Sequence, residues 1–96
     1  MREQERVAIR VRIDGQVQGV WFRGWTVEQA IRRHLAGWVR NRRDGSVETL
    51  FSGEAAMVQE MIEACRRGPP SATVTSVLTE AAEAPDQPGF HQWPTV

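Results

Sequence analysis

Residues 7–23 read Val7-Ala8-Ile9-Arg10-Val11-Arg12-Ile13-Asp14-Gly15-Gln16-Val17-Gln18-Gly19-Val20-Trp21-Phe22-Arg23. The first part alternates. Val7, Ile9, Val11 and Ile13 fall on one face, and Ala8, Arg10, Arg12 and Asp14 on the other. Period two with β-branched residues predicts a strand with one buried and one wet face. The sheet it joins is therefore expected to be covered on one side only. Gly15 and Gly19 then bracket a short polar loop, and a helix pattern follows. In that helix Val27, Ala30 and Ile31 make a modest apolar stripe, with Glu28, Gln29, Arg32 and Arg33 outside it. The helix is expected to stop near Arg33 or His34.

Farther along, residues 36–42 and 46–52 flank Arg43-Asp44-Gly45. Asp-Gly between two strand-like segments predicts a hairpin. A second helix is expected over about residues 54–66, where Met57, Val58, Met61, Ile62 and Cys65 repeat at helical spacing. Ser52 or Gly53 can cap it, Glu54 suits its positive end, and Arg66 and Arg67 suit its last turn. Gly68 stops it, ahead of Pro69-Pro70. A fourth strand covers about residues 74–80, and a short last one runs from Phe90 to about Trp93. Pro94 has no N–H to give a ladder, which puts that segment at a sheet edge or end. The order is βαββαβ plus a short strand. It predicts an α+β two-layer sandwich of the ferredoxin-like type, an antiparallel sheet with two helices on one face.

A chain of 96 residues allows one domain. Residues 7–96 are expected to form it behind a tail of residues 1–6, as a free-standing protein. Twelve Arg, with no Lys, balance twelve acidic residues. Zero net charge argues against nucleic acid or an anionic membrane surface as the main partner. The single Cys65 excludes an internal disulfide, and His34 and His91 are too isolated to suggest a metal site. No continuous apolar run opens the chain, so a cytoplasmic location is expected.

Conventional catalytic groups are scarce. Cys65 lies on an apolar stripe and reads as a core thiol. His34 sits at a helix end, His91 in a late strand, and Asp44 in a turn. The loop over residues 15–23 differs. It joins a strand to a helix, so its backbone N–H groups and the helix N-terminus can converge on an anion. Arg23, in the first helical turn, is slightly unfavourable beside the helix dipole unless an anion is bound there. Two readings follow from the residues alone: an anion pocket, or a plain connection whose Arg23 points into solvent.

The segment Gly15-Gln16-Val17-Gln18-Gly19-Val20-Trp21-Phe22-Arg23 resembles the acylphosphatase signature G-x-V-Q-G-V-x-F-R. Gly37-Trp38-Val39-Arg40-Asn41, followed by Asp44-Gly45-Ser46-Val47-Glu48, resembles the second motif of that family at matching spacing. Gly68-Pro69, Ala72 and Val74 are similar to its link into the fourth strand. The resemblance implies a monomeric hydrolase of acyl phosphates, without metal or cofactor, in which water attacks phosphorus and no covalent intermediate forms. It assigns phosphoryl binding to Arg23 and water positioning to Asn41. Backbone N–H groups of about Gln16 to Val20 would complete the cradle, with Gly15, Gln16, Val17, Gln18, Gly19, Val20 and Phe22 as binding residues. Inorganic phosphate is then product and inhibitor. Acyl phosphates carry a good leaving group, so positioning and charge stabilisation matter more than a strong base.

Three departures stand out. His34 stands where the family usually has Gly, Arg33 where an apolar residue is common, and Gln92 at a normally apolar place in F-x-I-x-P-T. They are expected to affect packing and to leave Arg23 and Asn41 untouched. Two other readings compete. One is a phosphate- or ligand-binding domain of the same fold without hydrolysis. The other is an RNA-recognition module, which shares βαββαβ but stacks bases on open-face aromatics. The first strand has none, and Arg10 and Arg12 can instead pair with Glu48.

Overall fold

Alternation in the first strand is realised as burial: Val11 and Ile13 are fully buried while Arg10 and Arg12 face solvent. The computed structural model describes residues 5–96. Most of the expected tail, residues 1–4, lies outside the described residues, and Arg6 already pairs with Glu54. The elements are β1 (Arg6–Gln16), α1 (Phe22–Arg32), β2 (Ala36–Asn41), β3 (Val47–Glu54), α2 (Ala55–Cys65), β4 (Thr73–Ala81) and β5 (Phe90–Gln92). The sheet order is β4-β1-β3-β2-β5. This is the ferredoxin-like α+β sandwich. One correction applies: β5 runs parallel to β2, so the sheet is mixed rather than wholly antiparallel. The chain passes from β4 at one edge of the sheet to β5 at the other, where it runs in the same direction as β2, and sequence alternation cannot reveal that direction.

Both helices pack on one face of the sheet. Val39, Val47 and Phe51 meet Val58, Met61 and Cys65 there in a fully buried core. In α1 the buried face is Phe22, Thr26 and Ala30, and Ile31 is 57% exposed. The stripe expected at Val27, Ala30 and Ile31 is therefore rotated. Thr26 tolerates burial because its hydroxyl donates to the Phe22 carbonyl at 2.8 Å. Arg33, expected outside the stripe, ties the helices together: its Nε donates to Glu60 at 2.8 Å.

The helix ends are informative. The expected cap on α2 at Ser52 or Gly53 does not form, because β3 carries both in its ladder with β1. Glu54 takes the cap position without a side-chain bond, and the Ala55 N–H donates to the Glu5 carbonyl at 2.8 Å instead. At the end of α1, His34 N–H donates to Ile31 and Leu35 N–H to Ala30, both at 3.0 Å. That is a Schellman stop, with buried Leu35 against Ala30. Its left-handed position is held by His34 at φ 60°, as the comparison with the usual Gly anticipated.

On the open face Glu48 gathers charge. Arg40 Nε and Arg42 Nη1 each donate to it at 2.9 Å, and Arg10 lies at 3.7 Å. Arg12, although opposite Glu48 in register, turns to Asp14 at 3.1 Å and Asp44 at 3.0 Å. Glu48 is already engaged, and the hairpin turn brings Asp44 within reach. Burial would raise the Glu48 pKa, but hydrogen bonds from Arg40 and Arg42, and then their charges, hold it below the usual value.

Two predictions follow from this packing. His34→Gly should stabilise the protein by roughly 0.5–1 kcal/mol, because Gly removes the left-handed cost but loses more chain entropy. Thermal unfolding of both proteins measures this, and a lower Tm would show that the imidazole itself contributes. The depressed Glu48 pKa adds stability that is full above the ordinary carboxylate range and is lost as pH falls through the lowered value. Urea unfolding between pH 5 and 2 should therefore show a shallower acid decline in Glu48→Gln, from a lower starting stability.

Candidate active site

The site is built where β1 ends. Its ladder with β4 shifts register between Asp14 and Gly15. Gly15 has φ 127°, and a Cβ there would strike the Thr73 carbonyl, so the strands can approach only through Gly. Beyond Gln16 the chain leaves the sheet. Among the described residues, no backbone carbonyl accepts from the N–H groups of residues 17–21. The first N–H groups of α1 lack intrahelical partners as well, as at any helix start. These donors and the helix dipole give the loop a positive local potential.

Gln18 anchors the loop from the side. Its Nε2 donates to the Arg42 carbonyl at 2.7 Å and to the Ser46 carbonyl at 2.8 Å. Both acceptors belong to the hairpin between β2 and β3. Asp44 shapes that turn by accepting from the Ser46 N–H at 2.9 Å and its hydroxyl at 2.7 Å. These bonds to Ser46, hydroxyl first, hold the Asp44 carboxyl below its usual pKa. The bridge sets the loop beside Asn41, the last residue of β2. Asn41 is held from behind by the Val96 N–H, which donates to its carbonyl at 3.1 Å.

A cavity of about 210 Å³ opens between these parts, lined by Val17, Gln18, Gly19, Trp21, Phe22, Arg23, Gly24, Asn41 and Gln92. Arg23 is the charged residue of that lining, and no described carboxylate forms an ion pair with it. A wider cavity of about 380 Å³ lies on the open face between Arg10, Arg12, Arg42 and Glu48. Its guanidinium groups are already paired with carboxylates, so it has no free cation to offer. The smaller cavity is the better anion site.

Of the residues singled out in the sequence, Val17, Gln18, Gly19, Phe22, Arg23 and Asn41 meet around the cavity. Gly15 and Gln16 remain in β1, paired with Val74 and Thr73, and Val20 packs against the core. Sequence reasoning missed Trp21, Gly24 and Gln92. Gln92 had a signal: it is polar where the family is apolar. It was expected to disturb packing away from the site, yet it is exposed on β5 and lines the cavity. The remaining reactive groups lie elsewhere. Burial pushes the Cys65 thiol up to about 12, against a smaller lowering by Arg33. His91 contacts the Pro88 carbonyl at 2.8 Å, and His34 is at the helix stop.

Comparison with known proteins agrees with this fold. A sequence model of the acylphosphatase family matches residues 9–92. An acylphosphatase of Rhodospirillum rubrum is 60% identical over 86 residues, covering 90% of this chain and 94% of that one. The structure of an acylphosphatase from Coxiella burnetii matches with a TM-score of 0.89 at 33% identity, covering 97% of this chain and 100% of that one. The acylphosphatase from Bacillus subtilis matches with a TM-score of 0.85 at 36% identity, over 91% and 98% of the two chains. With both motifs, the fold and nearly the whole length in agreement, the chain belongs to the acylphosphatase family.

Proposed function

We propose that the protein is an acylphosphatase, which hydrolyses the carboxyl–phosphate anhydride of small acyl phosphates. The observation that carries this is Arg23, a guanidinium with no described carboxylate partner, beside free loop N–H groups and across from Asn41. The phosphoryl group sits in the loop. Its oxygens accept from N–H groups of about residues 17–21 and from the planar fork of Arg23. The donors shift one residue along from the expected Gln16–Val20, because Gln16 is held in β1.

Asn41 orients the attacking water, accepting with its carbonyl and donating with its amide. The water oxygen bonds to phosphorus as the phosphorus–oxygen bond to the acyl group breaks. The bonding pair leaves on the carboxylate. The lining holds no carboxylate, imidazole or thiol, so the water proton passes to a phosphoryl oxygen. The products are a carboxylate and inorganic phosphate, and phosphate returns to the cradle as an inhibitor. Charge that builds on the phosphoryl oxygens meets donors already in place, which is where such sites gain most of their rate.

The reading includes a cytoplasmic monomer acting on small molecules without a cofactor. Among the described residues no helix is long and apolar enough to cross a membrane. Recognition of RNA has less support: Trp38 is 8% exposed, and it and Trp93 stack on each other at 4.5 Å, so each gives one ring face to the other. A phosphate-binding domain without turnover is not favoured either, since Asn41 adds a water-orienting amide to the cradle.

Arg23→Lys should lower kcat/KM for benzoyl phosphate by about 10²–10³-fold, because a point charge cannot reproduce the fork. Near-native turnover by this variant would sink the assignment of Arg23. Asn41→Ala should lose kcat by about 10²-fold while inorganic phosphate inhibits as before. A weakened phosphate inhibition with kcat intact would instead put Asn41 in the cradle.

A further inference from the structure

Among the described residues four large hydrophobic residues are exposed: Trp21, Ile31, Leu78 and Val96. Trp21 is the one among them that lines the cavity of Arg23 and Asn41, and it is 60% exposed. It also sits in the left-handed region, at φ 66° and ψ 25°, where Gly would cost least. Its side chain makes no capping bond to α1, so helix capping does not account for it. The indole instead lies against Gly24. A Cβ at Gly24 would strike Nε1, Cε2 and Cδ1 of the ring, so the small residue makes room for it. An exposed aromatic held in a strained backbone at a site's mouth points to a ligand contact.

We propose that Trp21 is the residue that recognises the acyl group, giving the enzyme a preference for acyl phosphates with flat, apolar acyl groups. The proposal rests on the phosphoryl reading above. With the phosphoryl group at Arg23 and the loop, the acyl group projects toward the mouth. Phe22 is 2% exposed and forms the floor, so its ring offers little surface. Gly19 and Gly24 have no side chains, and Gln92 is polar. The Trp21 indole is the large apolar surface that remains. Stacking on it is worth more to an aromatic acyl group than to a methyl group. In this arrangement only the Trp21 backbone N–H faces the phosphoryl group, a donor that Trp21→Gly and Trp21→Phe both keep, and the indole sets specificity alone.

The test compares wild type, Trp21→Gly and Trp21→Phe on benzoyl phosphate and acetyl phosphate, with inorganic phosphate as inhibitor. Gly suits the left-handed backbone, so Trp21→Gly should fold, and Trp21→Phe keeps an aromatic face. In Trp21→Gly the ratio of kcat/KM for benzoyl over acetyl phosphate should fall about five- to tenfold, mainly through KM. Trp21→Phe should restore most of the ratio. An unchanged ratio in Trp21→Gly overturns the proposal and leaves the hydrolase reading standing. Should wild type turn over neither substrate, the hydrolase reading fails. The acyl preference is then read from binding of benzoylphosphonate against acetylphosphonate, which cannot be hydrolysed. Equal loss of both on Trp21→Gly overturns the proposal there, and selective loss of the benzoyl compound supports it.

Discussion

The site depends on one side-chain amide. Gln18 gives both of its N–H donors to the hairpin, to the carbonyls of Arg42 and Ser46. Its nitrogen has no further hydrogen to give. The loop that carries the free N–H groups and the hairpin that carries Asn41 are otherwise separate pieces of chain, 24 and 28 residues apart at these contacts. The amide joins them without using a backbone donor of the loop. Those donors stay free for an anion.

Sheet topology brings the partners to the same end. β1 and β2 each pair antiparallel with β3, so they run in the same direction. β5 is parallel to β2 and shares that direction. The C-terminal ends of all three therefore lie along one edge of the sandwich. The loop leaves from β1, Asn41 closes β2, and Gln92 closes β5. The N-terminus of α1 points there too, because the loop is too short to carry the chain elsewhere. One geometric fact thus accounts for the meeting of the loop, the Asn41 amide and the unforeseen Gln92 around one cavity.

Net charge conceals how the arginines are used. Arg10, Arg12, Arg40 and Arg42 are taken up by Glu48, Asp14, Asp44 and Glu80 on the open face, and Arg33 by Glu60 between the helices. Arg23 lacks such a partner among the described residues. It stands in the positive field of loop and helix, which raises the cost of leaving the site without an anion. A neutral protein can in this way present a strongly anion-seeking spot without becoming a polyanion binder.

Much of this was legible because it is local. Alternation at Val11 and Ile13, the stripe through Val58, Met61 and Cys65, the Asp44-Gly45 turn and the stop at Gly68 depend on neighbours a few residues away. The two motifs carried Arg23 and Asn41 in the same manner. Sequence alone also pointed to the left-handed strain at His34. Tertiary structure decided the rest. It buried Thr26 and exposed Ile31, since the face of a helix is chosen by what packs on it. It gave Arg12 to Asp44, made β5 parallel, and assigned the Gln18 side chain to the hairpin. It also brought Trp21 and Gln92 to the mouth of one cavity. Each of these is a contact between segments distant in sequence, and periodicity along a chain holds no information about which distant segment will arrive.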